Sequence, residues 1–354
     1  MKASNNIATT TNRNLYWQNV RGICIIAVIL IHCTTGLSYI ESGLTSFNSI
    51  YYIIMRNIIN FPVPIFIFLS GFFTNIDLAK NDVKSYYKKK LLRLFVPFVI
   101  WTTFYNAYWM VTNILKNEPI NVIAMIKAYF FGTSHLYFIV LLLWLILVTP
   151  IIVKCLNSKL KSSIVFSITT VFLIVSYIMQ LGLQKKIPHL EISFIYIGFY
   201  YLGMYCKDKK IDFKKYFNKN TSIIFLIFAF VINLSETIIL LKIKADIGFA
   251  FDQMTIGGFL YGFSIIVYLL VNQKDKSKSS LLTYIGDNSF GIYFVHIFWL
   301  AVITNIYKFL NISFPFIFIN QIIELIIALS FSMLSIIIVN KIFGKKISSR
   351  IFGF

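Results

Sequence analysis

Arg21 and His32 bracket an apolar run, RGICIIAVILIH. Eleven residues at about 100° each come to about 20° past three full turns, so on a helix the two side chains share a face. At about 1.5 Å per residue they stand about 16 Å apart, too far for contact. That separation suits the two ends of one long ligand. An arginine at a membrane mouth could hold phosphate by paired hydrogen bonds. A neutral imidazole deeper in the run could take a proton from a hydroxyl. Taken singly, the arginine could also snorkel to an interface, and a lone histidine could simply bond a neighbouring helix.

Ionisable residues are scarce in the other apolar runs, where they tend to face the interior of a bundle. Arg56, Glu236, His296 and Glu324 are such residues. A structural ion pair is expected between Glu324 and Arg56, and Glu236 reads as decoration near a helix end. His135 opens an apolar run beside Tyr137 and is placed at an outer mouth, suited to substrate binding or proton exit. His296 lies one turn from Tyr293 and about two turns from Ser289, all on one face. Lys88, Lys89, Lys90 and Arg93 form a basic block before another apolar run. They suit phosphate, or equally an anchor to anionic lipid. Ser70, Tyr293 and Asn60 could donate to a developing oxyanion. No metal site is read from the sequence.

The elements that position these residues are membrane helices. Of 354 residues 58% are hydrophobic and 13% charged, against about 25% charged in soluble domains. Runs near 15–37, 47–73, 93–115, 135–153, 162–181, 192–206, 221–241, 252–271, 288–307 and 316–340 approach the roughly 20 residues a crossing helix needs. The expected fold class is all-α: one polytopic bundle of about ten transmembrane helices in a single domain, 1–354. Pro62, Pro64 and Pro97 are expected to break the second and third spans. The net charge of +20 sits in short blocks between spans, which is a topology signal and excludes a soluble nucleic-acid-binding face. With both termini cytoplasmic, 24 of the 33 lysines and arginines fall in inner segments and seven in outer ones. Cys24, Cys33, Cys155 and Cys206 show no pairing pattern and are expected as free thiols. The first run is expected to be a retained span rather than a signal peptide.

These motifs resemble acyltransferase family 3, the integral-membrane acyltransferases that modify bacterial surface polysaccharides. The arginine and histidine separated by ten residues are its first-helix pattern. FPVPIFIFLSGFFT (61–74) looks like its aromatic Ser-Gly motif, and KKKLLRLFVPF (88–98) like its basic stretch before a proline. GTSHLYFIVLLL (132–143) is similar to its His-Leu-aromatic-Phe motif, and NSFGIYFVHIF (288–298) to its late Ser–Tyr–His helix. The order is the family's and the coverage nearly complete. The chain looks closest to compact members: O-acetyltransferases of lipopolysaccharide or enterobacterial common antigen, and the proposed O-succinyltransferase of intercellular adhesin. One departure is Gln18, where many members carry an aspartate three residues before the arginine.

The resemblance implies an O-acyltransferase of the bacterial inner membrane that takes an acyl group from cytoplasmic acyl-CoA, usually acetyl-CoA, to a sugar hydroxyl. The acceptor would be a surface polysaccharide or its lipid-linked precursor. No cofactor is bound beyond that donor, and the other partners are membrane lipids, with a homo-oligomer left open. His32 and Arg21 would be catalytic. Arg21, Lys88, Lys89, Lys90, Arg93 and Ser70 would contact the donor; His135, Tyr137, Tyr293 and His296 would face substrate. His296 is expected to shape the donor tunnel or pack structurally rather than act as the base. Trp101, Tyr105, Trp109 and Trp144 could stack on sugar or form an interfacial belt. Direct transfer and an acyl-histidine intermediate both stay open. Competing readings are a proton-coupled transporter, for which no paired broken helices in related halves are seen, and a non-catalytic polysaccharide export or flippase component.

Overall fold

The computed structural model describes residues 14–33, 44–184, 189–274 and 279–354. Lys2, Arg13, Lys185, Lys186, Lys276 and Lys278 of the charge pattern, and the end of the first predicted span, lie outside them. Among the described residues every regular element is helical. The first is α1, Leu15–His32. Next come α2 (Phe47–Ile58), α3 (Pro62–Phe72) and the short α4 (Ile76–Asn81). Then follow α5 (Val83–Leu115), α6 (Val122–Phe131), α7 (Tyr137–Ile152) and α8 (Lys159–Tyr177). The second half holds α9 (His189–Asp208), α10 (Lys219–Lys242), the single turn α11 (Ile247–Ala250) and α12 (Ile256–Val271). It ends with α13 (Leu281–Asp287), α14 (Ser289–Phe309), α15 (Ile317–Phe343) and α16 (Lys345–Ile351).

The chain is a multi-pass membrane protein. Eight stretches among the described residues are long and apolar enough to cross a membrane by length and composition. The other two predicted spans coincide with α9 and with α12, which is shorter. The α12 helix begins at Ile256 because Thr255 caps it. Asp252 and Gln253 are thereby left in the preceding turn and not in a span. Large apolar side chains stay exposed on the bundle's outside, as on α10 at Ile224, Ile227, Phe228 and Val231. Such a surface suits lipid rather than water.

Proline acts differently in the two expected breaks. Pro62 starts α3, so the second predicted span divides at Ile59–Phe61. Pro97 lies inside an unbroken α5 of 33 residues. One missing amide is tolerated there, as it commonly is in membrane helices whose neighbours hold the chain in place. Asp82 caps the start of α5 by accepting from the Ser85 amide at 3.0 Å. Those contacts with Ser85 hold its carboxyl below the ordinary carboxylate range.

Buried polar clusters fix helix registers. The Tyr200 hydroxyl on α9 bonds Thr149 on α7 at 2.8 Å and Thr74 beyond α3 at 3.2 Å. Asn57 on α2 accepts from Asn233 and Thr237 on α10 at 2.8 and 2.9 Å. In a low-dielectric interior such satisfied networks favour one arrangement over its alternatives. The first ties the end of α3 to α7 and α9, and α3 also meets α1, where Trp17 packs on Phe68, Phe72 and Phe73. The second fixes the turn of α2 that carries Arg56. Glu236 belongs to this class and is not interfacial decoration. Its carboxylate accepts from the Gly257 amide at 2.6 Å and from the Tyr177 hydroxyl, closing the first turn of α12. The four cysteines are free thiols, three of them buried.

Candidate active site

The break between α2 and α3 opens a cavity of about 170 Å³ at the end of α1. Asn60 in the break donates to the Phe251 carbonyl at 2.8 Å. Its side-chain oxygen accepts from Gln253 at 3.1 Å and from Arg56 at 3.4 Å. The break is thus stitched to the turn before α12. The polar lining of the cavity is Arg56, Asn60, Asp252 and Gln253, with His32, His135, Tyr137 and Tyr293.

Beside His32 lie two more imidazoles, and that of His135 lines the cavity too. The ring centres of His32 and His296 are 5.4 Å apart, those of His135 and His296 5.1 Å, and those of His32 and His135 6.4 Å. His135 and His296 are buried, at 2% and 0% exposure. His296 Nδ1 lies 2.8 Å from the Tyr293 carbonyl and 3.1 Å from that of Ile292. Carbonyl oxygens only accept, so Nδ1 carries the hydrogen and Nε2 the lone pair. That Nε2 has no hydrogen-bond partner among the described residues. No group of three or more His, Cys, Asp or Glu side chains among the described residues could hold a metal ion.

The sequence places His135 at an outer mouth; the structure buries it beside His32, against the same cavity. The reason is the turn before it. Gly132 has φ +76° and Ser134 φ +46°, and together they swing the chain inward. A Cβ on Gly132 would stand 2.4 Å from the Tyr137 amide nitrogen, so this turn needs glycine. The Tyr293 hydroxyl then donates to the His135 backbone carbonyl and holds the loop against α14. Tyr137 and Tyr293 face the same cavity as His32. Ser70 does not; it lies one turn past Phe66 on α3, towards Arg21, and its carbonyl accepts from Thr74 at 2.8 Å. The expected Glu324–Arg56 pair does not form. Glu324 bonds Asn320 at 3.1 Å in a separate cavity with Tyr307 and Lys308. Arg56 is the residue whose place at the site sequence reasoning missed: its type is the signal, and the pairing expected for it hides it.

Arg21 lies at the other end of α1. Its guanidinium stands 5.4 Å from the centre of the Phe73 ring and 3.5 Å from the Gln18 side-chain oxygen. The basic block divides. Lys88, Lys89 and Arg93 line a groove of about 620 Å³ with Lys346 and Arg350 from α16. Lys90 turns away on the helix, within electrostatic reach of Arg21 and Lys207. Lys207 donates to the Thr74 carbonyl at 3.0 Å. Residues one apart on a helix differ by about 100°, so a run of three lysines cannot serve one face. The contribution of α16 is invisible as a motif, because its short basic helix looks like a tail.

Across this frame, residues 14–341 match the family described as Acyltransferase domain, family 3. The chain belongs to acyltransferase family 3. No curated protein and no solved structure matches it. Family 3 membership makes acyl transfer its activity, with an acyl donor and an acceptor as substrates, and the match spans both Arg21 and the three histidines.

Proposed function

We propose that this family 3 protein transfers an acyl group, by preference acetyl, from acyl-CoA to a hydroxyl of a cell-surface polysaccharide or its lipid-linked precursor. The observation that carries this reading is the His32 imidazole lining a small cavity together with the Arg56 guanidinium. The proposal places the protein in a bacterial inner membrane with both termini cytoplasmic, on the distribution of lysine and arginine.

In the proposed reaction the acceptor hydroxyl gives its proton to His32 as its oxygen bonds the thioester carbonyl carbon. The carbonyl electron pair moves to oxygen, then returns as the carbon–sulfur bond breaks. The thiolate leaves with the electron pair and takes the proton from His32, so the enzyme ends unchanged. Arg56 and Tyr137 are the donors we assign to the oxyanion; one well-placed donor is worth about 2.7–4 kcal/mol. The Tyr293 hydroxyl is already committed to the His135 carbonyl. Arg21, Lys90 and the groove of Lys88, Lys89 and Arg93 take the phosphates of the coenzyme, whose pantetheine arm spans the roughly 16 Å up α1.

The test uses the full chain in detergent or nanodiscs with acetyl-CoA and polysaccharide from a strain lacking the gene. Free CoA should appear only when the polysaccharide is present, with acetyl esters on the glycan by mass spectrometry. No release with any surface glycan of the host would overturn the reading. The groove supplies a narrower check. A Lys346→Ala, Arg350→Ala double variant should raise KM for acetyl-CoA roughly two- to thirtyfold with kcat nearly unchanged, since exposed charge contacts are worth about 0.2–1 kcal/mol each. The difference should shrink at high salt.

A further inference from the structure

We infer that the cavity between the end of α5, α6 and the Gly132–Ser134 turn is the binding site for the sugar acceptor. This rests on the acyl-transfer reading above and adds where, and by what chemistry, the acceptor is held. The cavity has a volume of about 440 Å³ and is lined by Trp109, Asn106, Asn113, Asn121, Lys127 and Thr133, among others.

Each asparagine spends one end of its amide on the cavity wall and keeps the other. Asn106 donates to the Met125 carbonyl at 3.0 Å, and Asn113 to that of Pro119 at 3.4 Å, leaving both side-chain oxygens. The Asn121 oxygen accepts from the Ala124 amide at 2.9 Å, leaving its NH₂ group. Two fixed acceptors and a fixed donor are thereby presented beside the indole of Trp109, which is 37% exposed. A pyranose ring has the matching surface: a C–H face for the indole and a rim of hydroxyls that both donate and accept. Among the described residues, Lys127 is the one formal charge lining the cavity. A phosphate-rich ligand is better served by the five cationic side chains of the α5–α16 groove.

The placement agrees. The groove at Lys88–Arg93 and the cavity at Trp109–Asn113 lie near opposite ends of α5, roughly 24 Å apart at 1.5 Å per residue. Donor and acceptor would therefore approach from opposite membrane faces. The cavity also abuts the histidines. Trp109 packs on Tyr105 at 6.2 Å, and Tyr105 meets the edge of His135 at 5.3 Å. Ser134, another lining residue, immediately precedes His135.

The experiment uses the full chain, acetyl-CoA and the unacylated polysaccharide isolated from a host carrying His32→Ala. Trp109→Ala and Asn113→Ala should each raise KM for the polysaccharide at least tenfold and leave KM for acetyl-CoA unchanged. Trp109→Phe, which keeps an aromatic face, should recover most of the loss. The polysaccharide should quench tryptophan emission in the wild type and much less in Trp109→Phe, a readout that needs no turnover. An unchanged acceptor KM in both alanine variants overturns the site, as does a rise confined to acetyl-CoA. If the wild type binds this polysaccharide by quenching yet transfers nothing to it, the acyl-transfer reading fails while the site stands. If it shows neither, both fail.

Discussion

His32→Ala should remove acyl transfer almost completely, with a loss in kcat of about 10²–10⁴-fold, the usual size of a positioned general base. The histidine ends α1, and the following Cys33 amide still bonds the Ile29 carbonyl, so alanine leaves the helix end intact. The ring lines the cavity beside the rings of His296 and His135 and makes none of the hydrogen bonds that fix the helix end. The protein should therefore fold, bind acetyl-CoA with an unchanged KM, and fail only in chemistry. Neither neighbour takes its place directly. His135 lines the same cavity but is only 2% exposed, and His296 holds its Nδ1 hydrogen against two backbone carbonyls. Because the two lie within about 6 Å, some residual rate is expected from water relayed to them. His296→Asn, added to His32→Ala, should abolish that remainder while keeping a donor for the carbonyls. Steady-state release of CoA from acetyl-CoA measures both. Wild-type kcat in folded His32→Ala protein would remove His32 from the mechanism.

Much of this arrangement is legible in the amino-acid sequence, and the limits have physical causes. Among the described residues each of the ten apolar runs holds a helix over most of its length, because a helix is what satisfies a backbone in lipid. The Arg21–His32 spacing is a property of one helix, so its geometry follows from the residue numbers alone. What sequence cannot supply is tertiary placement. His32, His135 and His296 sit in three separate motifs, and nothing in them says that their rings meet. The inward turn of His135 depends on two left-handed residues, Gly132 and Ser134, and the second is an unusual residue for that conformation. Charge complementarity assigns Arg56 a partner, but it is a weak guide when the neighbour is unknown. Glu324 stands in a separate cavity, bonded to Asn320. The helices α6 and α16 leave no signal because neither has a membrane-length run; they shape the two cavities at either end of α5.

Gly286→Val should cost more stability than any other single change considered, and should reach the arginine as well. A Cβ at Gly286 would stand 1.8 Å from the Gln18 carbonyl oxygen, 2.8 Å from its carbon and 3.0 Å from the Gly22 nitrogen. All three are backbone atoms of α1, so no rotamer change relieves the overlap. The reciprocal approach is as tight, since a Cβ on Gly22 would meet the Leu282 carbonyl oxygen at 2.4 Å. Close backbone approach through glycine is how membrane helices gain packing where lipid supplies no hydrophobic drive. Here it is reinforced by Asn19, which accepts from the Thr283 hydroxyl at 2.6 Å. Ordinary overpacking costs about 1–3 kcal/mol, and backbone overlap should exceed that. The valine protein should fail to yield a monodisperse peak in detergent. Gly286→Ala carries the same Cβ overlap without valine's two methyl groups; the fraction that folds should melt at a lower temperature and expose the functional link. Gln18 is both the residue touched by Gly286 and the side chain 3.5 Å from Arg21. Where many family members have a carboxylate, this chain has a neutral amide, a weaker partner for a guanidinium. The register of α1 against α13 and the Phe73 ring help to position the arginine. On that account Gly286→Ala should raise KM for acetyl-CoA more than Gln18→Ala does. The reverse order would show that the amide, despite its length and neutrality, is what holds Arg21.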